Sequence, residues 1–244
     1  MYETVISVGV KRIDWLKETD LRIKAASNSD IVTACSAEKR FAYLCIGADG
    51  KAEKKAAAIV KRALTELFLG REKKNYLTAG VEKLKISSGS RKLLVHALTG
   101  FDREAEEKLM RNSLRFRRFF DIDGFLSFRM KEFYARWKEM CDLAGQHGSF
   151  LLNEDTFNDL LRFLIDASKR RDSRAEVIRV DGRYRLVEKR GNERAEEKYF
   201  DAFDDLLCGL IDFAPCETVL KGFDYDSDYR RLNNIFDARC DISQ

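Results

Sequence analysis

The stretch AEVIRVDGRYRLVEK, residues 175–189, decides the fold of the C-terminal part of the chain. Two runs rich in β-branched and alternating residues flank Asp181-Gly182, a pair that favours the two-residue type I′ turn because both of its positions take positive φ. This pattern predicts an antiparallel β-hairpin. The chain around it is therefore expected to build a sheet.

Working outward from this hairpin, the segment 173–244 is predicted as a β-β-α-β-α-β module. Asn192 and Pro215 are expected to bound a helix, and the runs CETVLKGF (216–223) and ARCDIS (238–243) are predicted strands separated by a short helix. Because consecutive elements usually lie next to each other, the final strand is expected in the same sheet as the hairpin.

The N-terminal segment 1–74 is predicted as a β-α-β-β-α unit. TVISVGV (4–10) alternates as a strand, and IVTAC (31–35) with FAYLCIGA (41–48) indicates a second hairpin. A short helix is expected between the first two strands. A longer helix follows Asp49-Gly50, where the apolar residues recur at helical spacing.

The middle segment, 75–172, is predicted to be helical. Helices are expected over 102–120, along the apolar stripe from Met130 to Ala144, and over 153–171, with Asp121 and Asp123 in a capping turn. A single proline in 244 residues and a charged fraction of 35% fit a helix-rich globular protein. The predicted class is α+β, with segments 1–74, 75–172 and 173–244, of which the last two could also pack as one domain.

Composition indicates a cytoplasmic protein. No apolar run approaches the roughly 18 residues that a membrane-spanning helix needs, so no membrane insertion is expected. The six cysteines form no Cys-x-x-Cys pair, and most lie in apolar stretches, which is typical of reduced thiols rather than of a disulfide framework.

The sequence contains no familiar catalytic or cofactor motif. Only His96 and His147 occur, without an HExxH pair, and GxxxxGK[ST], GxGxxG and GxSxG are all absent. His96 lies in the apolar run LLVHAL, which favours a buried, hydrogen-bonded histidine over a catalytic one. We therefore expect no cofactor and no metal site, and we favour a non-enzymatic protein while leaving an enzyme open.

The net charge of +4 hides an uneven distribution along the chain. Residues 51–118 hold 18 Lys+Arg against 8 Asp+Glu, whereas residues 192–244 hold 6 against 13. This suits a nucleic-acid surface, or else two oppositely charged regions that dock on each other or on a second copy in a homo-oligomer. The two alternatives stay open.

The best local candidates for function are basic residues. In RNSLRFRRFF (111–120), guanidinium groups alternate with aromatic rings, which suits phosphate contacts and base stacking. The same interleaving is also typical of a helix end with a buried Phe side. The candidate contacts, for nucleic acid or a protein partner, are Lys54, Lys55, Lys61, Arg62, Arg115, Arg117, Arg118 and Arg129.

Five ordered blocks between residues 90 and 244 resemble the YtxC-like family of sporulation proteins. They are DIDGFLSFRMKEFYARW (121–137), NDLLRFLID (158–166), EVIRVDGRYRLVE (176–188), FAPCETVL (213–220) and RLNNIFDARCDI (231–242). The resemblance implies a cytoplasmic protein of endospore-forming bacteria whose biochemical activity the family does not define. Within the first block, Arg129 is expected to pair with Asp121 or Asp123, or alternatively to contact a ligand.

Two functions are therefore carried forward. The preferred one is a non-enzymatic intracellular sporulation factor that acts through contacts with an unidentified protein partner. The alternative is a nucleic-acid-binding protein that uses the basic segment 51–118.

Overall fold

A computed structural model describes residues 2–27, 30–115, 118–146, 152–168 and 172–240. The fold is α+β, as predicted, and the chain forms two compact units. Unit 1 contains residues 1–75 and 104–137, and unit 2 contains residues 76–103 and 138–244. The predicted middle segment is thus shared between the two units instead of forming a body of its own.

The secondary structure of the described residues is as follows. The strands are β1 (Tyr2–Gly9), β2 (Ile31–Ala37), β3 (Phe41–Ala48), β4 (Phe119–Asp121), β5 (Ser173–Val180), β6 (Arg183–Arg190), β7 (Glu196–Phe200), β8 (Glu217–Lys221) and β9 (Arg239–Cys240). The α-helices are α1 (Ile13–Ala26), α2 (Glu53–Leu67), α3 (Lys73–Val81), α4 (Ser88–Gly100), α5 (Arg103–Ser113), α6 (Ile122–Arg129), α7 (Lys131–Gln146), α8 (Glu154–Asp166), α9 (Phe203–Phe213) and α10 (Ser227–Phe236). A π-helical turn, Phe68–Glu72, joins α2 to α3.

Unit 1 is built on a four-stranded sheet in the order β2-β3-β1-β4. β1 pairs antiparallel with β3 and parallel with β4, and β2 pairs antiparallel with β3. The predicted β-α-β-β-α succession is confirmed. The core holds the rings of Trp15, Phe68 and Phe125, with the last two stacked at 4.9 Å between centroids.

Unit 2 is built on a five-stranded sheet in the order β7-β6-β5-β8-β9. The predicted hairpin joins β5 to β6, and Asp181 and Gly182 have φ values of 50° and 76°, as the type I′ turn requires. β9 lies in the same sheet, which confirms the prediction for the final strand; residues 241–243 lie outside the described part of the chain. α9 packs against α4 and β6, and α10 packs against α8.

The helix predicted between Asn192 and Pro215 is wrong in its first half. Residues Glu196–Phe200 form β7, which pairs antiparallel with β6, and α9 begins only at Phe203. The Glu- and Lys-rich composition favours a helix locally, but the free edge of β6 offers a full set of backbone partners. The C-terminal module therefore has one strand more than predicted.

The helix predicted over 102–120 is also too long. α5 ends at Ser113, and Phe119–Asp121 forms β4, the parallel neighbour of β1. The backbone amide of Val5 donates to the carbonyl of Arg118 at 2.9 Å. This long-range pairing, between residues 113 positions apart, overrides the local helical pattern.

Candidate functional site

One side of the unit 1 sheet is buried, and the other side is at least partly exposed except at Ser7, which is buried. Thr4, Ile6 and Val8 of β1 are buried with the alternate residues of β3. The residues that alternate with them form a surface that we call the open face. Its members are Glu3, Val5, Ser7, Val32, Ala34, Ser36, Phe41, Tyr43, Cys45, Gly47, Phe119 and Asp121.

Large apolar side chains of the open face are left in solvent. Val32 is 70% exposed, Phe119 57% and Phe41 45%. These three residues are separate in the register, with Val5, Ala34, Tyr43 and Cys45 between them. Single exposed apolar residues are ordinary on protein surfaces, but a sheet face that is apolar over this extent marks an interaction site.

Small residues lie next to one another in the middle of the open face. Cys45 pairs with Ala34 of β2 on one side and with Val5 of β1 on the other, and Gly47 pairs with Val32. Because these side chains are short, they leave a trough of about 430 Å³.

Few charges border this trough. Glu3 and Arg118 line it, at the side of the sheet where β1 meets β4. Asp121 already has hydrogen-bond partners within the chain. It accepts a hydrogen bond from the Ser7 hydroxyl at 2.7 Å, and it caps α6 by accepting a hydrogen bond from the Gly124 amide. The face as a whole is apolar and close to neutral.

The exposed side of the unit 2 sheet is different. Cross-strand ion pairs cover it: Lys221 Nζ lies 2.7 Å from Glu176 Oε1, and Arg174 Nε lies 3.1 Å from Glu217 Oε2. Such pairs suit a sheet face that meets water. Across the parts of unit 1 that the structure describes, no ion pair crosses the strands of the open face.

The predicted basic residues of α2 do not lie on the open face. Lys54 is exposed and Lys61 half-buried, while Lys55 lies 3.3 Å from Asp30 and Arg62 Nε lies 2.9 Å from Glu66. Two of these four cations therefore have carboxylate partners within the chain.

The predicted arginines of the 111–120 block separate. Arg118 lies at the trough of the open face, whereas Arg115 is exposed in the segment after α5. Arg117 lies outside the described residues, as does His147. Of the candidate contacts that the structure describes, Arg118 is the one placed beside the open face.

The expected pairing of Arg129 is wrong. Asp121 binds Ser7 and the Gly124 amide, and Asp123 accepts the Gly9 amide at 2.6 Å and forms an ion pair with Arg12. Arg129 is exposed at the end of α6. The two aspartates join β1 to the start of α6, which confirms the predicted capping turn and leaves Arg129 out of it.

The open face was not predicted from the sequence, although one signal pointed to it. FAYLCIGA is apolar at every position, so Phe41, Tyr43 and Cys45 are apolar on the side away from the helices. A strand that is apolar on both faces belongs in a sheet covered on both sides.

The described residues contain no obvious catalytic arrangement. His96 is buried, and its Nδ1 lies 2.7 Å from Asp212 Oδ1, which confirms the prediction of a hydrogen-bonded core histidine. A pocket of about 240 Å³ near the start of α4 holds Arg231 between Glu154 and Asp204, each 3.8 Å away. No group of three or more His, Cys, Asp or Glu residues could hold a metal ion in the described ranges.

No protein-family model, curated protein or solved structure matches the chain. Among the helices that the structure describes, none has both the length and the apolar composition needed to cross a membrane.

Proposed function

We propose that the protein is a non-enzymatic, cytoplasmic sporulation factor of the YtxC-like type that binds a partner protein through its open face. The sporulation context comes from the five sequence blocks that resemble this family. The mode of action comes from the open face itself, which is the observation that carries the proposal.

The shape and charge of the open face support a protein as its occupant. Burying apolar surface stabilises an interface by about 25 cal/mol per Å². The rings of Phe41 and Phe119 are about half exposed, so a partner that covers them would gain this stabilisation. The trough lined by Val32, Ala34, Cys45 and Gly47 can receive a projecting apolar side chain, because Gly47 and Ala34 leave room for it. Glu3 and Arg118 would pair with an opposite charge at the rim of the partner surface.

The partner can be sought with substitutions that spare the fold. Phe41→Ser with Phe119→Glu removes two exposed rings. Phe128→Glu is the control, because Phe128 is 75% exposed and belongs to α6, not to a strand of the open face. After cross-linking in sporulating cells, the natural chain and the control should retain the same partner, and the double variant should lose it. Equal recovery by all three chains would overturn the proposal.

The sporulation part has a separate test. Cells that lack the protein should form fewer heat-resistant spores, and the Phe128→Glu chain should restore the count better than the double variant. Normal spore counts without the protein would contradict the assignment to sporulation.

A nucleic acid is a second candidate, favoured by the position of Arg118 beside the exposed ring of Phe119. Single-stranded nucleic acids bind surfaces that combine cations with stacking aromatics. The open face carries the carboxylates of Glu3 and Asp121 against one guanidinium, which disfavours a polyanion. Fluorescence anisotropy with a labelled oligonucleotide tests this candidate. Binding that weakens steeply with added salt and with Arg118→Gln would support it. No binding at low salt would exclude it.

A further inference from the structure

Within the part of the chain that the structure describes, the two sheets present four edge strands, and one differs from the other three. β4 and β9 have three and two residues, and β7 carries Glu196, Glu197 and Lys198. β2 has seven residues, IVTACSA, with no charged residue and no proline, and it pairs with β3 along its whole length without a bulge. Proteins usually protect edges with charges, bulges or short strands, so β2 is a free template for strand pairing.

The hairpin geometry shows which backbone groups of β2 face outward. The Glu38 amide donates to the Phe41 carbonyl at 2.8 Å and closes the hairpin. Bonded and non-bonded pairs alternate along an antiparallel ladder. Val32, Ala34 and Ser36 therefore bond to β3, and the odd-numbered residues 31–37 direct their N–H and C=O groups to the free edge.

We propose that a second copy of the chain pairs with this edge, β2 against β2 in antiparallel fashion, to form a dimer with a continuous eight-stranded sheet. Full overlap of the seven residues places Ala34 opposite Ala34 of the second copy, on the twofold axis. Thr33 then lies opposite Cys35 of the second copy, a pair in which both residues direct their hydrogen-bonding groups outward.

The charges that flank the edge fit a second copy. Asp20 of α1 accepts a hydrogen bond from the Thr33 hydroxyl, and Lys24 Nζ lies 2.6 Å from Asp20. Partial burial raises the pKa of the Cys35 thiol, and the Asp20 carboxylate raises it further. Asp20 and Lys24 of each copy thus form a neutral pair beside this edge, and β2 itself carries no charge, so two identical edges can meet without repulsion.

The dimer and the proposed partner on the open face use different groups. The dimer uses the outward backbone groups of β2, whereas the partner test changes the side chains of Phe41 and Phe119 on other strands, so each contact can be removed without the other. Pairing leaves the rings of the open face exposed in both copies.

The first test uses proline at an outward-facing position. Cys35→Pro removes one outward N–H per copy and spares the bonds between β2 and β3, whereas Cys35→Ser keeps the amide. In sedimentation velocity over a concentration series, the natural chain and Cys35→Ser should dimerise. The dissociation constant of the Cys35→Pro dimer should be higher by a factor of about ten or more. A monomer at every concentration, or an unchanged dimer in Cys35→Pro, would overturn the proposal.

The second test checks the register and does not depend on how well the proline variant folds. Ala34→Cys, in a chain that also carries Cys35→Ser and Cys45→Ser, should form a disulfide between copies under mild oxidation, because residues on the axis have Cα atoms about 4.5 Å apart. Val180→Cys in the same background is the control, since Val180 is 53% exposed on the other sheet. A dimer without the 34–34 linkage would refute this register.

Discussion

Lys73, Glu106 and Trp137 form a polar cluster inside unit 1, and all three are fully buried. Lys73 Nζ lies 2.8 Å from Glu106 Oε2, and Trp137 Nε1 donates to Glu106 Oε1 at 2.8 Å. The cluster joins the start of α3 to α5 and α7. Burying either charge alone would be costly, so each residue depends on the other.

Removing the cation of this cluster should strongly destabilise unit 1. Lys73→Met leaves a buried carboxylate without its partner, and we expect a loss of about 3–5 kcal/mol in the free energy of unfolding. Urea unfolding followed by tryptophan fluorescence measures unit 1 directly, because Trp15 and Trp137 both belong to it.

Two further variants complete this comparison. Lys17→Met breaks an exposed pair with Asp14 and should cost no more than about 0.5 kcal/mol. Adding Glu106→Gln to Lys73→Met removes the unpaired buried carboxylate and keeps a hydrogen-bond acceptor for Trp137. The double variant should therefore recover much of the lost free energy of unfolding. Equal midpoints for the Lys73→Met and Lys17→Met chains would show that the buried pair contributes little.

Tyr184 in unit 2 gives a prediction for alkaline pH. Burial raises its pKa from 10.0 to about 12, and its hydroxyl donates a hydrogen bond to Asp228. The folded state therefore holds this proton more tightly than the unfolded chain. Its contribution to stability is complete below pH 10 and is lost as the pH rises through 12.

The measurement compares the natural chain with Tyr184→Phe. Absorbance at 295 nm should show one tyrosine fewer titrating near pH 12 in the variant, and between pH 10 and 12 the natural chain should lose more thermal stability than the variant does. Identical titration curves for the two proteins would contradict the assignment.

At the scale of elements, β7 shows how a distant partner decides secondary structure. Phe200 at its end packs on Gly209 of α9, where a Cβ would come within 2.8 Å of the Phe200 ring. Lys198 forms an ion pair at 2.6 Å with Glu188, a mostly buried residue of β6. Neither contact can be read from residues 192–214, whose composition favours a helix.

Two glycines with similar backbone angles should respond differently to alanine. Gly222, between β8 and α10, has φ 70°, and an added Cβ would lie 2.7 Å from the carbonyl oxygen of Arg179; Gly182 has φ 76° and open space. Gly182→Ala should cost about 1 kcal/mol from backbone strain alone, and Gly222→Ala should cost clearly more. Thermal melting followed by circular dichroism tests this order, and similar losses would contradict it.

At the scale of the whole molecule, the two units differ less in net charge than the segments 51–118 and 192–244 do. Unit 1 carries 23 Lys+Arg and 16 Asp+Glu, for a net charge of +7, and unit 2 carries 22 and 25, for −3. The basic stretch 51–118 contributes to both units. The more useful contrast is between an apolar open face in one sheet and an ion-paired face in the other.

The ion-paired face of unit 2 should behave as an ordinary solvated surface. Glu176→Gln breaks the pair with Lys221 and should change stability by less than about 1 kcal/mol. Val177→Ala, on the opposite and fully buried side of the same strand, should cost about 1.5–3 kcal/mol. Denaturation followed by circular dichroism compares the two, and an equal cost would mean that this face is not solvated as the structure indicates.

The sequence alone determined the local features of this protein. The Asp181-Gly182 turn, the Asp121 cap, the buried His96 and the strand character of FAYLCIGA all depend on a few neighbouring residues, so their side chains and backbone preferences were sufficient.

Tertiary structure alone decided the features that depend on pairing between distant residues. β4 exists because β1 lies beside it, β7 because β6 has a free edge, and the Lys73–Glu106 pair because two helices bury both charges together. The open face has the same origin: Phe41 and Cys45 look like core residues in sequence, and only the assembled sheet shows which of its sides the helices leave uncovered.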